Sequence, residues 1–176
     1  MKFENYQESL KERYLRYLWF LAWIFLFRFT PPISFFFAWR NLILKLFGAK
    51  IGNNVKIYPS CQIYSPWNLE IDDYGCLGRE VDCLNYVKIK IGKNSTVSKR
   101  SFLCTGSRDY QKENIPIVGA DIKIGNNCWL AAECFLSPGI TVEDNSILLA
   151  RSFLTKDFGP DSLIAGHPAK KIRNLN

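Results

Sequence analysis

The sequence predicts a mainly β protein: a parallel β-helix of about five coils, preceded by a separate helical segment. Three observations predict it. Aliphatic residues recur every six positions from Ile51 to Leu154. A track of small residues follows four positions behind them. Aromatic and basic residues crowd the first fifty positions. At 176 residues the chain is about one domain long. Its 48% hydrophobic content can fill a core, which excludes wholesale disorder.

Residues 1–50 form the first unit, read as a helical, interfacial anchor. They hold 15 of the 26 aromatic residues, and eight Lys or Arg against three Glu. Beyond residue 50 the balance is fifteen against thirteen, so most of the net charge of +7 sits beside the aromatics. The uncharged run Tyr17 to Phe27 is eleven residues, whereas a spanning helix needs about 20. Pro31 and Pro32 interrupt the pattern, and a second apolar stretch, 33–47, contains Arg40 and Lys45. Two helices joined at a Thr-Pro-Pro turn fit this, with proline at the start of the second helix, where its missing N–H costs nothing. Trp19, Trp23 and Trp39 suit a headgroup boundary, and Arg and Lys stems can reach phosphate level. These features favour an anchor lying in the membrane interface. The alternatives are a helical cap packed on the rest of the chain or on a neighbouring subunit, and a true span. A nucleic-acid partner is not expected: no recognition motif appears, and Phe35–Phe37 suit lipid better than phosphate.

The opening residues mix acidic and basic side chains and lead to no cleavage site, so no secretory signal is expected. The six cysteines form no CxxC pair, and free thiols in a reducing compartment are expected. A single histidine, His167, excludes metal sites built on several imidazoles, and no metal is expected.

Residues 51–159 form the repeat. Its series are Ile51, Ile57, Ile63, Leu69; then Ile71, Leu77, Cys83, Ile89; then Ile91, Val97, Leu103; then Ile124 through Leu154. The register slips by two between the first three. Three six-residue sides close one triangular coil, and inward aliphatics stack coil upon coil. Ser95, Ser101, Ser107, Cys128, Cys134, Ser146 and Ser152 mark tight corners, as do the Gly-Asn pairs after Ile51 and Ile124. Cysteines on these tracks read as small apolar filler. The repeat breaks at residues 104–121, a polar stretch too long for a corner. Long loops ejected from rigid scaffolds commonly carry function. Residues 160–176 form a C-terminal tail.

Four stretches carry a resemblance: "LFGAKIGNNV", "CTGSRDY", "PIVGADIKIGNNCWLAAECFLSPGITV" and "ARSFLTKDFGPDSLIAGHPAKKIR". Over about residues 40–174 the chain resembles the hexapeptide-repeat acyltransferases. It is most similar to the colanic acid and exopolysaccharide acetyltransferases, and more distantly to the galactoside and maltose acetyltransferases. The resemblance implies a left-handed β-helix, a homotrimer with sites between neighbouring prisms, and transfer of acetyl from acetyl-CoA to a sugar hydroxyl. It implies bacterial surface-polysaccharide synthesis, with a sugar or lipid-linked oligosaccharide as acceptor. With the anchor, it implies a peripheral place at the cytoplasmic face of the inner membrane.

The family's loop reads TGSHD and its histidine is the base. Here the loop reads Thr105-Gly106-Ser107-Arg108-Asp109, and a guanidinium cannot accept the proton near pH 7. Asp82, near the position of a second family polar residue (often Asn), and Asp109 are the candidate bases. Arg108 would then hold the oxyanion or a substrate anion. The alternative is a catalytically impaired pseudoenzyme, or a trimeric scaffold at the membrane. For the donor, the resemblance places Trp129 at the acetyl and pantetheine end, Ala132 and Ala150 along the pantetheine arm, Thr155 and Lys156 further on, and Lys170 and Arg173 at the nucleotide phosphates. His167 reads as a surface turn residue.

Overall fold

The computed structural model describes residues 3–175; Met1, Lys2 and Asn176, at the ends of the first and last predicted segments, lie outside them. From Lys50 the chain winds a left-handed prism of five complete coils and two sides of a sixth. Each coil lays one short strand on each of three faces. The first face stacks Lys50–Ile51, Leu69–Ile71, Ile89–Ile91, Ile122–Ile124 and Thr141–Val142. The second stacks Lys56–Ile57, Cys76–Leu77, Thr96–Val97, Trp129–Leu130, Ile147–Leu148 and Ser162–Gly166. The third stacks Gln62–Ile63, Asp82–Leu84, Phe102–Cys104, Phe135–Leu136 and Phe153–Leu154. Neighbouring coils pair in parallel, and the strand Ala169–Asn174 turns back antiparallel on Ser162–Gly166.

Side chains alternate in and out of a strand, so a two-residue strand points one residue inward. Those residues are the six-residue series, and Ile57, Leu77, Cys83, Val97, Leu103, Leu130 and Leu148 are fully buried. The slips of two have a physical origin. First-face strands of the second to fourth coils point both ends inward: Leu69 with Ile71, Ile89 with Ile91, Ile122 with Ile124. Corners between the first and second faces hold Asn54, Asn94, Asn127 and Asn145 at φ between 53° and 57°, the left-handed region that asparagine tolerates. The glycine at this corner answers a different need. A Cβ on Gly92 would lie 2.6 Å from the Gly125 backbone one coil away.

The small track also knits coils together. Ser95 Oγ donates to Gly125 O at 2.6 Å and accepts from Cys128 N at 2.9 Å. Ser107 departs from the expected pattern: it is exposed, because the chain leaves the coil at Cys104. All six cysteines are free. Burial pushes the Cys61 thiol up to about 12 and the Cys83 thiol well above its usual value, so these are inert fillers.

Helix α1 (Leu10–Ala22) starts on a capping box between Ser9 and Glu12, and runs into a wider turn, Trp23–Arg28. Helix α2 is Ser34–Leu46. Pro31 and Pro32 precede its N-cap, Ile33, rather than opening its first turn as expected. Together the helices close the N-terminal end of the prism. Along the strands each coil's N–H groups donate to carbonyls of the next coil, as Lys56 N does to Gly75 O at 2.9 Å, while some corner N–H groups donate back to the coil before, as Tyr74 N does to Asn53 O at 2.9 Å. The first coil's carbonyls that face away from the second coil therefore have no coil beneath them, and side chains supply donors to four of them. Trp19 Nε1 reaches Ile63 O at 2.7 Å, Trp23 Nε1 reaches Cys61 O at 2.8 Å, Arg40 Nε reaches Ile57 O at 2.7 Å and Asn41 Nδ2 reaches Val55 O at 2.9 Å. Trp19, Phe27, Ile43 and Leu44 join the prism's core. The inner side of the segment is thus a cap on the rest of the chain. Its outer side leaves Leu10, Tyr14, Tyr17, Phe20, Phe25, Phe29 and Phe35 exposed. Among the described residues no helix is long and apolar enough to cross a membrane.

Candidate functional site

Coil stacking puts residues of widely separated sequence on one line. Outward on the third face, Gln62 stands over Asp82, Asp82 over Phe102, Phe102 over Phe135 and Phe135 over Phe153. Asp82 is half-buried, and burial raises its carboxyl pKa above the ordinary aspartate value. Among the described residues it has no ion pair. Asn85, three residues on, is buried and committed in both directions to the Ser65 backbone, at 2.9 and 2.6 Å. The free polar side chain of this strand and corner is therefore Asp82. Beside it, α1 and the third face enclose a groove of about 490 Å³. Arg16, held in an ion pair with Glu8 and stacked 4.6 Å over Tyr64, forms part of its rim.

Residues 104–121 leave the corner between the third and first faces. They are ordered as a hairpin, Gly106–Arg108 against Ile117–Gly119, with the N-terminal strand Glu4–Asn5 added to its edge. Thr105 anchors its base, donating to Leu84 O at 3.0 Å and accepting from Val87 N at 3.2 Å. Gly106 allows the close approach of the Tyr86 ring, which a Cβ would strike. Arg108 is exposed, and its Nη1 donates to Ile115 O at 3.2 Å. Asp109 is engaged within the loop: its carboxylate accepts from Gln111 N at 3.2 Å and pairs with Lys112 at 3.2 Å. No ion pair or hydrogen bond joins Arg108 to Asp82 among the described residues.

The donor candidates divide between two edges of the prism. Trp129 points outward from the second face, 49% exposed, with Nε1 donating to Ser98 Oγ at 3.1 Å. Ala132 and Ala150 occupy successive corners between the second and third faces, linked by Arg151 N to Ala132 O at 2.9 Å. Lys170 and Arg173 extend from the antiparallel strand at the C-terminal end of the second face. Thr155 and Lys156 stand on the other edge, where the third face turns to the first, the same edge that ejects the loop. One chain thus brings Trp129, Ala132 and Ala150 together and separates them from Thr155, Lys156 and the loop. His167 stacks on Phe153 at 4.7 Å, extending the third face's aromatic line.

Two features of the site were missed by sequence reasoning. One is the α1 wall with Arg16; nothing in its local sequence points to Asp82. The other is the line Gln62–Asp82–Phe102, whose 20-residue spacing equals a slipped coil and could have been found by tracking outward rather than inward positions.

A triangular prism of hexapeptide coils, with a loop ejected from one edge and a half-exposed tryptophan near another, is the architecture of a hexapeptide-repeat acyltransferase. No family model matches the chain. WcaF of Escherichia coli strain K12, named as a colanic acid biosynthesis acetyltransferase, is 39% identical over 156 residues, spanning 89% of this chain and 85% of the relative. On that similarity the chain belongs to the hexapeptide-repeat acetyltransferase family that includes WcaF. Solved structures share the fold. A maltose O-acetyltransferase from Clostridium difficile 630 superposes with a TM-score of 0.85 at 24% identity, covering 96% of this chain and 90% of that one. The hexapeptide-repeat acetyltransferase VCA0836 of Vibrio cholerae, complexed with acetyl-CoA, superposes with a TM-score of 0.86 at 20% identity, covering 96% and 91%.

Proposed function

We propose that this chain is an acetyl-CoA-dependent O-acetyltransferase that acts on a sugar hydroxyl in bacterial surface-polysaccharide synthesis, with a lipid-linked intermediate as acceptor. The observation that carries the reading is its near full-length similarity to WcaF. The donor side fits the thioester substrate. An exposed indole can cover the pantetheine arm, alanines at successive corners let a ligand approach the backbone, and Lys170 and Arg173 offer positive charge for phosphates. Among the described residues no cluster of metal-ligating side chains occurs.

The sugar oxygen attacks the thioester carbonyl carbon and forms the C–O bond. The hydroxyl proton passes to a base, the C–S bond breaks, and the CoA sulfur leaves and takes up a proton. Asp82 is the base in this reading. Among the described residues it has no ion pair, it borders the groove, and burial raises its basicity. Asp109 is less suited because its carboxylate is already engaged by Gln111 N and Lys112. Arg108 cannot be the base, and donates to the oxyanion or to an anionic acceptor group.

The working unit in this reading is a homotrimer. The division of the donor residues between two edges of one prism supports a groove completed by a neighbour, and the aromatic line Phe102–Phe135–Phe153 supplies an apolar face for it. The exposed aromatic side of residues 1–50 supports peripheral binding at the cytoplasmic face of the inner membrane.

The test is free-thiol release from acetyl-CoA, with and without a panel of bacterial sugar acceptors, by the natural chain and by Arg108→His. Acceptor-dependent release by the natural chain is the expected result. Release by Arg108→His alone would mean a preserved donor site that has lost its base. Silence from both, with no CoA binding, would favour a noncatalytic scaffold.

A further inference from the structure

The groove between α1 and the third face has two unlike walls. The prism side presents the polar ends of Gln62 and Asp82 among Ile63, Tyr64 and Leu84. The helical side presents Tyr17, Phe20 and Trp23 at spacings of three, running from α1 into the wider turn, with Trp19 and the ion-paired Arg16 beside them. Trp23 already spends its N–H on Cys61 O, so only its apolar ring is left for a ligand. Tyr17 and Phe20 are 64% and 56% exposed, so this wall does not end inside the groove. It runs out onto the aromatic outer side of the helices, past Tyr14 and Leu21. A free sugar would use the floor alone. The volume of about 490 Å³ and the continuing apolar wall exceed what one sugar ring fills.

We propose that this groove binds an amphiphilic glycoside, with its sugar against Asp82 and Gln62 and its apolar aglycone leaving along Tyr17 and Phe20 toward the outer face of α1. The inference rests on the acetyltransferase reading for the identity of the sugar's reaction, and is independent of it for binding. Selectivity then lies in the helices as well as the prism. An acceptor without an aglycone occupies the floor alone and binds weakly. The arrangement also delivers the acceptor from a lipid surface directly to the outward carboxylate, without the aglycone crossing water.

The experiment compares methyl and octyl β-glycosides of glucose and galactose, each below its micelle threshold, on the full-length chain. Binding is read by tryptophan fluorescence without acetyl-CoA, and transfer by thiol release with it. The octyl glycosides are expected to bind about 100-fold more tightly than the methyl ones, since several methylenes leave water at about 0.8 kcal/mol each when fully buried. Phe20→Ser should remove most of that difference by weakening the octyl glycosides far more than the methyl ones, with an unchanged thermal midpoint. Phe25→Ser, 74% exposed and outside the groove, should preserve it. Equal affinity for methyl and octyl glycosides, no binding of either, or an equal loss for both with Phe20→Ser would each overturn the inference. Chain-length-dependent binding without any thiol release would sink the acetyltransferase reading and leave the groove assignment standing. Thiol release without chain-length dependence would do the reverse.

Discussion

Arg40 is fully buried and, among the described residues, forms no ion pair, and its replacement gives the sharpest test of the helical cap. Its Nε donates to Ile57 O at 2.7 Å, and its Nη1 to Thr30 Oγ1 at 2.6 Å and Pro31 O at 3.3 Å. The guanidinium also lies 4.8 Å from the centre of the Phe37 ring. It thus ties the interhelical turn to the first coil. In Arg40→Ala, Ile57 O loses the donor that replaces a missing coil, and a buried acceptor left alone costs about 1–3 kcal/mol. Thr30 Oγ1 loses its donor, the cation–π contact goes, and a cavity opens beside Phe27. Against this stands relief of a buried charge, whose cost shows in the lowered pKa of the guanidinium and in Nη2, which has no hydrogen-bond partner among the described residues. The expected net loss is about 3 kcal/mol, with Arg40→Lys losing about half as much by keeping one of the bonds. Urea unfolding followed by tryptophan fluorescence reads it, because Trp19 and Trp23 sit in the same cap. A loss below about 1 kcal/mol for Arg40→Ala, with unchanged cooperativity, would refute the account and show that the first coil's carbonyls do not need these donors.

Asp82→Asn should lower the transfer rate about 10²–10⁴-fold and erase the acidic limb of the pH–rate profile, while Asp109→Asn keeps both. Stability provides a second readout with a definite sign. The folded Asp82 pKa is raised, so the native state holds the proton more tightly than the unfolded chain, and stability declines as pH rises from the ordinary aspartate value through the folded one. Asp82→Asn should remove that decline in a pH series of urea midpoints. Trp129→Ala should raise KM for acetyl-CoA about tenfold with an unchanged thermal midpoint, since the ring is half-exposed. The paired change Phe25→Ser with Phe29→Ser should weaken co-sedimentation with anionic vesicles at least about tenfold, each ring being exposed on the outer side of the cap. Gly92→Ala should cost about 1–3 kcal/mol in urea unfolding, because the added methyl meets the Gly125 backbone in the next coil.

The prism was legible because its period is set by one inward residue per side, and burial of Ile57, Leu77 and Val97 follows directly from that spacing. The slips of two looked like irregularities, and are the places where Leu69–Ile71 and Ile89–Ile91 turn both ends inward. The helices were legible as helices, but their partner was not. The same tryptophans that suit a lipid boundary also donate to carbonyls of the first coil, and composition does not separate those uses. The loop was recognisable by its polarity. Its ordering by Glu4–Asn5 depends on a pairing more than a hundred residues apart, which no local pattern encodes. Asp82 was identified through resemblance; its separation from Asn85 follows from the two-way bond of Asn85 to Ser65.

The four side-chain donors under the first coil have a consequence for self-assembly. A parallel β-helix is a repeating lattice in one dimension, and an uncovered end is a template on which another copy's terminal coil can add. Here Trp19, Trp23, Arg40 and Asn41 occupy the acceptors such a copy would need, and the helical bodies stand where its strands would lie. A chain beginning at Lys50 would keep its coils but expose Ile51, Ile57 and Ile63 together with those carbonyls. It should self-associate through that exposed end. The amino-terminal helices, whatever else they touch, terminate this solenoid at one end, as the antiparallel strand Ala169–Asn174 covers its second face at the other.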